Sequence, residues 1–149
     1  MSVSATDYSA YKQVNVETAS QGKLIVMLFG GAIKRAEDAK KQLENGKFEG
    51  VHNNLIRAQD IVAELRACLD MKAGTVAENL DRLYEYVQHL LIKANIRKEA
   101  GPLGECIGYL TELRDTWEEA FASLASHERE ALETPRADQQ GAGVINVQG

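Results

Sequence analysis

Proline, cysteine and aromatic residues are all scarce in this 149-residue chain: two prolines, two cysteines and 6% aromatic side chains. With only Pro102 and Pro135 to interrupt hydrogen bonding, and no β-branched run alternating with period two, helices are expected throughout. Two cysteines are too few for a disulfide framework. Cys68 and Cys106 both fall beside apolar stripes, so they are expected as reduced core residues of a cytoplasmic chain. Positive charge is also short: the net charge is −5, which argues against a general nucleic-acid binder, since that would carry a basic face. Long apolar runs are absent. The longest, residues 24–33, is broken by Gly30 and Gly31 and covers about half of the roughly 20 residues a bilayer-crossing helix needs, so no membrane insertion is expected. Residues 1–7 show neither a cationic stretch nor an apolar one, so no secretory signal is expected and the chain is placed in the cytoplasm.

Catalytic signatures are missing as well. A di-iron bundle needs a Glu-x-x-His pair on each of two helices, and this chain has one, Glu49 with His52, at a helix start. His89 is followed by Ile92 three positions on, which does not fit a phosphotransfer histidine, and it reads as an exposed structural residue. No Gly-x-Ser-x-Gly turn occurs, and neither cysteine has a basic neighbour that helical spacing would bring to its sulfur. Gly30-Gly31 lies inside a helix and not after a strand, so it is no phosphate cradle. It reads instead as a close approach of a neighbouring helix, at ~1 kcal/mol of propensity per glycine. No enzyme, metal or cofactor is expected.

What the chain does have is apolar periodicity. A first helix opens at Thr18 to Gln21 as a capping box and carries the stripe Ile25, Leu28, Ala32, Ala36, Ala39, Leu43 before Asn45-Gly46 ends it. A second, from Phe48 to Ala73-Gly74, carries Val51, Leu55, Ala58, Val62, Leu65 and Leu69. A third starts at the capping box Thr75 to Glu78 and runs to Ala100-Gly101. A fourth starts at Pro102, a suitable first helical residue, with Leu103, Ile107, Leu110, Leu113, Trp117, Phe121 and Leu124. Helices of about 25 residues, roughly 37 Å long, joined by short connections favour antiparallel neighbours. The expected fold is therefore all-α, an antiparallel up-and-down four-helix bundle over residues 18–130. An N-terminal arm (residues 1–17) and a disordered tail (residues 131–149) flank this single domain.

The third helix is over-supplied. Leu80, Leu83, Val87, Leu90 and Ala94 make one stripe, Tyr84 and Leu91 widen it on one flank, and Ile92 and Ile96 widen it on another. Such a helix needs a second partner, which is a further helix of the chain, a second copy, or a foreign helix laid in a groove. Leu91 and Ile96 are expected at the margin, facing a ligand, with Leu83 and Val87 inside.

Several ordered segments resemble the flagellin-specific export chaperones of bacteria, the FliS family. They are Tyr11-Lys-Gln-Val-Asn-Val-Glu-Thr-Ala-Ser20, Leu24-Ile-Val-Met-Leu-Phe-Gly-Gly-Ala-Ile33, Asn79-Leu80, Leu83-Tyr84-x-Tyr86, Ala94-Asn95 and Trp117, spanning about residues 8–124. Two positions depart from the family pattern, Gln21 where proline often follows the serine and Phe29-Gly30 where Tyr-Asp is usual. The resemblance implies a cytoplasmic bundle that binds the C-terminal segment of flagellin, prevents premature polymerisation, and assists delivery to the flagellar type III export gate. Regulators of flagellar assembly are further possible partners, and the free protein is expected as a monomer or weak homodimer. The partner-binding candidates are Tyr8, Tyr11, Val14 and Val16 of the arm, with Leu80, Tyr84, Leu91, Asn95 and Ile96 of the third helix. Core packing competes for Leu80 and Tyr84, and a helix-end polar role for Asn95. The alternative function is a homodimeric helical-bundle adaptor with no flagellin role.

Overall fold

The computed structural model describes residues 17–133, with side chains from 21 to 132. Four α-helices occur, α1 (Glu17–Glu44), α2 (Phe48–Ala67), α3 (Thr75–Arg97) and α4 (Ala100–Glu133), with a 3-10 turn at Met71–Ala73 and no strand among the described residues. The chain divides into two compact units, one formed by Ser20–Trp117 and the other by Met1–Ala19 with Glu118–Gly149.

The Ser20–Trp117 unit is an antiparallel up-and-down bundle. Gln42 and Arg35 of α1 bond Asn54 of α2. His52, Gln59 and Arg66 of α2 then meet Asn95, Gln88 and Asp81 of α3 in descending order, and Tyr86 and Tyr84 of α3 meet Glu105 and Trp117 of α4. The connections are brief because glycine and one strained lysine make the turns. Gly46 (φ 69°) and Gly74 (φ 79°) take left-handed backbone, which costs glycine nothing. Lys98 does the same at φ 53°, a conformation unfavourable for a residue with a Cβ. Its ammonium offsets part of that cost by bonding the Asn95 carbonyl (2.5 Å) and Asn95 Oδ1 (2.9 Å).

The core follows the periodicity on α2, where Val51, Leu55, Ala58, Val62 and Leu65 are all buried. Elsewhere most of the expected stripe is buried, Ile25, Ala32, Ala36 and Ala39 on α1, Val87, Leu90 and Ala94 on α3, and Leu103, Leu110 and Leu113 on α4, with local departures. On α1 the largest buried side chain is Phe29, and Leu28 and Leu43 are only half-buried. On α4 Cys106 replaces Ile107 in the seam, and burial pushes its thiol up to about 12. On α3 Tyr84 and Leu91 are buried while Leu80 and Leu83 are half-buried. The supposed margin on that flank is thus the core, because Tyr84 packs edge-on against Phe29 of α1 with ring centroids 6.0 Å apart and bonds Trp117 of α4. Its second partner lies within the chain.

Some boundaries also move. Helix α2 stops at Ala67, so Leu69 lies in the connection, where the Asp70 carboxylate accepts the Lys72 N–H at 3.0 Å. Gly74 occupies the cap position of α3 with no side-chain cap, so Thr75 is the first helical residue. Helix α1 starts at Glu17, one residue before the expected Thr18, and α3 ends at Arg97. Pro102 is the third residue of α4, still within the turn whose N–H groups have no helical acceptor. Gly30-Gly31 is not a close approach: a Cβ at Gly30 would meet nothing within 4 Å, and one at Gly31 would touch Ile61 Cδ1 at 3.5 Å, an ordinary contact. The tight glycine is Gly50, whose Cβ would sit 2.5 Å from the Gln42 amide.

In the other unit, the described part is mainly the end of α4, with Phe121 half-buried and Leu124 and Leu132 exposed beside Glu118, Glu119, Glu128 and Glu130. No helix among the described residues is long and apolar enough to cross a membrane.

Candidate partner-binding surface

Two apolar features lie at opposite ends of the α2–α3 pair. The first is a cavity of about 230 Å³ where α2 breaks off before α3 begins. Ile25 of α1 and Leu65 and Cys68 at the end of α2 form one side; Leu69, Asp70 and Ala73 of the connection form the rim. Val76, Ala77, Leu80 and Tyr84 of α3, with Trp117 of α4, close it. The cavity exists because the helical stripe of α2 ends at Ala67 and α3 does not begin until Thr75. Ala77 is too small to fill the gap, and Val76 points largely outward at 65% exposed. Among the described lining side chains Asp70 carries the only ordinary charge.

Tyr84 forms the polar point of the cavity. Its hydroxyl accepts the Trp117 Nε1–H at 3.0 Å. Burial raises its pKa above the usual tyrosine range, a shift that the Trp117 donor opposes without cancelling, so the group stays a neutral phenol.

The second feature surrounds the His52–Asn95 bond (3.0 Å) at the other end of the helix pair. Phe48 and Ile56, one turn either side of His52, and Ile92 and Ile96, flanking Asn95, are all exposed; Ile96 is 76% exposed. Asn95 itself is 8% exposed and held from both sides, by His52 and by Lys98, so it anchors the helix end. Between the two features the α2–α3 seam is polar. Arg66 grips Asp81 through two nitrogens (2.8 and 3.1 Å) and bonds Gln88, whose amide reaches the Gln59 carbonyl. That guanidinium lowers the Asp81 carboxyl below its usual range.

The sequence candidates therefore separate. Leu80 and Tyr84 line the cavity, Ile96 sits in the exposed patch, Asn95 is a buried anchor, and Leu91, with no exposed surface, is core. Tyr8, Tyr11, Val14 and Val16 lie outside the described residues. Sequence reasoning missed the connection residues Cys68, Asp70, Ala73 and Val76, because extending α2 to Ala73 hid the gap that makes the cavity. Phe48 and Ile56 were legible as apolar residues off the α2 stripe. Outside the cavity, Tyr86 stands on the α3–α4 face with Tyr109 edge-on at 5.8 Å and its hydroxyl donating to Glu105. Among the described residues no group of three or more His, Cys, Asp or Glu side chains is placed to hold a metal.

A family model described as flagellar protein FliS matches residues 4–124. The chain belongs to the FliS family. It is 35% identical over 138 residues to the flagellar secretion chaperone FliS of Bacillus subtilis (strain 168), covering 93% of this chain and 95% of that protein. It is 36% identical over 121 residues to the flagellar secretion chaperone FliS of Salmonella typhimurium, covering 77% and 90%. The protein of the same name from Vibrio cholerae is 33% identical over 115 residues, covering 74% and 85%. The FliS match takes in α1, α2, α3 and the cavity between them, together with α4 as far as residue 124.

Proposed function

We propose that this FliS-family chain is a cytoplasmic export chaperone that holds the C-terminal segment of unpolymerised flagellin and helps deliver it to the flagellar type III export gate. The observation that carries this reading is the pairing of an apolar cavity with an exposed apolar patch on one rigid bundle. A disordered amphipathic segment must bury an apolar face as it orders, and such a surface receives it. The cavity gives an anchor point, and the patch around Ile96 extends the contact along α3. The relatives of Bacillus subtilis and Salmonella typhimurium, each named a flagellar secretion chaperone, support the export role. Tyr8, Tyr11, Val14 and Val16 of the arm are further candidates for contact with flagellin, and the two roles open to them, a lid on the free protein or a clamp on the bound segment, are told apart by the rates of an arm-deleted chain. Masking flagellin's assembly segment would stop it from polymerising before export.

The test is co-expression with flagellin, full-length and lacking its last ~50 residues, a length able to cover more than one standard interface. Light scattering should give a 1:1 complex with the full-length protein and none with the truncated one; an undiminished complex after truncation overturns the proposal. A second reading draws on the same exposed apolar residues: Phe48, Ile56, Ile92 and Ile96 of two copies facing each other would give a weak homodimer. Flagellin should then dissociate that dimer.

A further inference from the structure

The cavity holds a group that apolar packing does not require. Tyr84 is 2% exposed, its hydroxyl oxygen accepts the Trp117 Nε1–H, and its own hydroxyl proton has no acceptor among the described residues. Buried donors are rarely left so, and a phenylalanine would pack against Phe29 equally well. The hydroxyl is bonded to Trp117, which lines the cavity together with Tyr84, so it lies where these two wall residues meet.

The rest of the wall narrows what can enter. Among the described residues no lysine or arginine lines the cavity, and Asp70 already accepts a backbone N–H, so an entering carboxylate would meet repulsion and no cation from that wall. An entering ammonium would have to leave water for aliphatic walls. A volume of about 230 Å³ is several times the ~30 Å³ share of one water, enough for a leucine-sized side chain and the peptide group beside it. A segment that arrives disordered brings carbonyl oxygens, and those in the last turn of any helix it forms lack internal partners.

We propose that Tyr84 is a specificity-determining donor: the cavity takes one neutral aliphatic side chain of the bound segment, and the Tyr84 hydroxyl donates to the backbone carbonyl oxygen next to it. This rests on the flagellin-chaperone reading and assigns its anchor point. Neutral aliphatic residues followed by an unpaired carbonyl are thereby preferred over charged ones, and over an apolar group with no acceptor.

Trp117 is the sole tryptophan of the chain and forms part of the wall, so its fluorescence reports occupancy. The probe is a synthetic peptide of the last ~50 flagellin residues, titrated into the full chain. Wild type should show a saturable change, Leu80→Asp should abolish it, and Tyr84→Phe should weaken binding about fivefold while melting as a folded bundle. No binding to wild type overturns both the chaperone reading and the anchor. Full binding by Leu80→Asp overturns the cavity as the docking point. Loss in Leu80→Asp with undiminished binding by Tyr84→Phe overturns the hydroxyl contact alone. A second arm leaves the protein unchanged: amide-to-ester replacement along the peptide, one position at a time, weakens the carbonyl acceptor. One replacement should cost wild type the same factor and cost Tyr84→Phe nothing; the absence of any such coupled position refutes the assignment.

Discussion

Leu91 and Ile96 stand five residues apart on α3, both apolar, yet they should respond oppositely to substitution. Leu91 has no exposed surface. Leu91→Ala removes buried methyl groups and leaves a void, which costs ~2–5 kcal/mol. That is a large part of the ~5–15 kcal/mol that holds a typical domain folded. At about 2–4 °C per kcal/mol for a chain of this size, the melting midpoint should fall by roughly 5–20 °C. Ile96 is 76% exposed, so only about a quarter of its burial can be lost. A quarter of the ~1.5–3 kcal/mol for full burial is about 0.5 kcal/mol, and alanine's better helix propensity returns a few tenths. Ile96→Ala should therefore melt within about 2 °C of wild type. The aspartate pair sharpens the contrast. Leu91→Asp buries an unpaired charge and should not fold, whereas Ile96→Asp should fold normally and bind flagellin at least tenfold more weakly. Far-UV circular dichroism melts, urea titrations with unchanged m and a flagellin titration make the three measurements. Equal destabilisation at both sites would refute the burial argument; normal flagellin binding by a folded Ile96→Asp would remove the patch from the proposed interface.

Gly108→Ala lies in a helix with open space around the new Cβ and should stabilise by about 0.5–1 kcal/mol in thermal melts. Gly50→Ala should show no such gain, because the Gln42 amide must swing away and give up its 2.8 Å bond to Asn54. Cys106 supplies an alkaline signature: its thiol is raised to about 12 in the fold from an ordinary 9, so the unfolded chain holds fewer protons between those values. Stability is then fully present below about pH 9 and lost at up to ~1.4 kcal/mol per pH unit toward pH 12, a slope that Cys106→Ala should flatten in pH-dependent urea titrations. Deleting residues 1–15, if the arm covers the groove about 90% of the time, should raise flagellin association and apparent affinity about tenfold by interferometry. An unchanged on-rate with faster release would refute the lid.

The core stripe of helix α2 was legible because its five buried residues repeat at three and four, although the end of the helix was not. Helix α1 was less so: Phe29 stands beside the stripe of smaller residues, and periodicity counts positions without weighing volume. Phe29 and Tyr84 settle α1 against α3 through an edge-on ring pair, a contact between residues 55 positions apart that no local pattern encodes. The cavity was illegible for a related reason. Leu69 continues the α2 spacing perfectly, and nothing in sequence shows that the backbone leaves the helix at Cys68 so that Asp70 can cap a 3-10 turn. Ile92 and Ile96, in contrast, could be read as surplus from spacing alone, since both fall outside the arc that one bundle seam can cover.

The two flanks of α3 divide the work that its excess apolar surface makes possible. The Tyr84–Leu91 flank is consumed internally, against Phe29 of α1 and Trp117 of α4, and that consumption fixes the helix's rotation. Once α3 is fixed in that rotation, Ile92 and Ile96 cannot also turn inward, because they lie on the far side of Asn95 and Gln88, whose polar bonds to α2 lock the seam. A bundle that wished only to be stable would place polar residues there. Exposed isoleucines that a locked helix cannot bury stay available to a partner, and the cavity at the other end stays open beside them. The stability of the bundle and the availability of its binding surface thus have one structural cause.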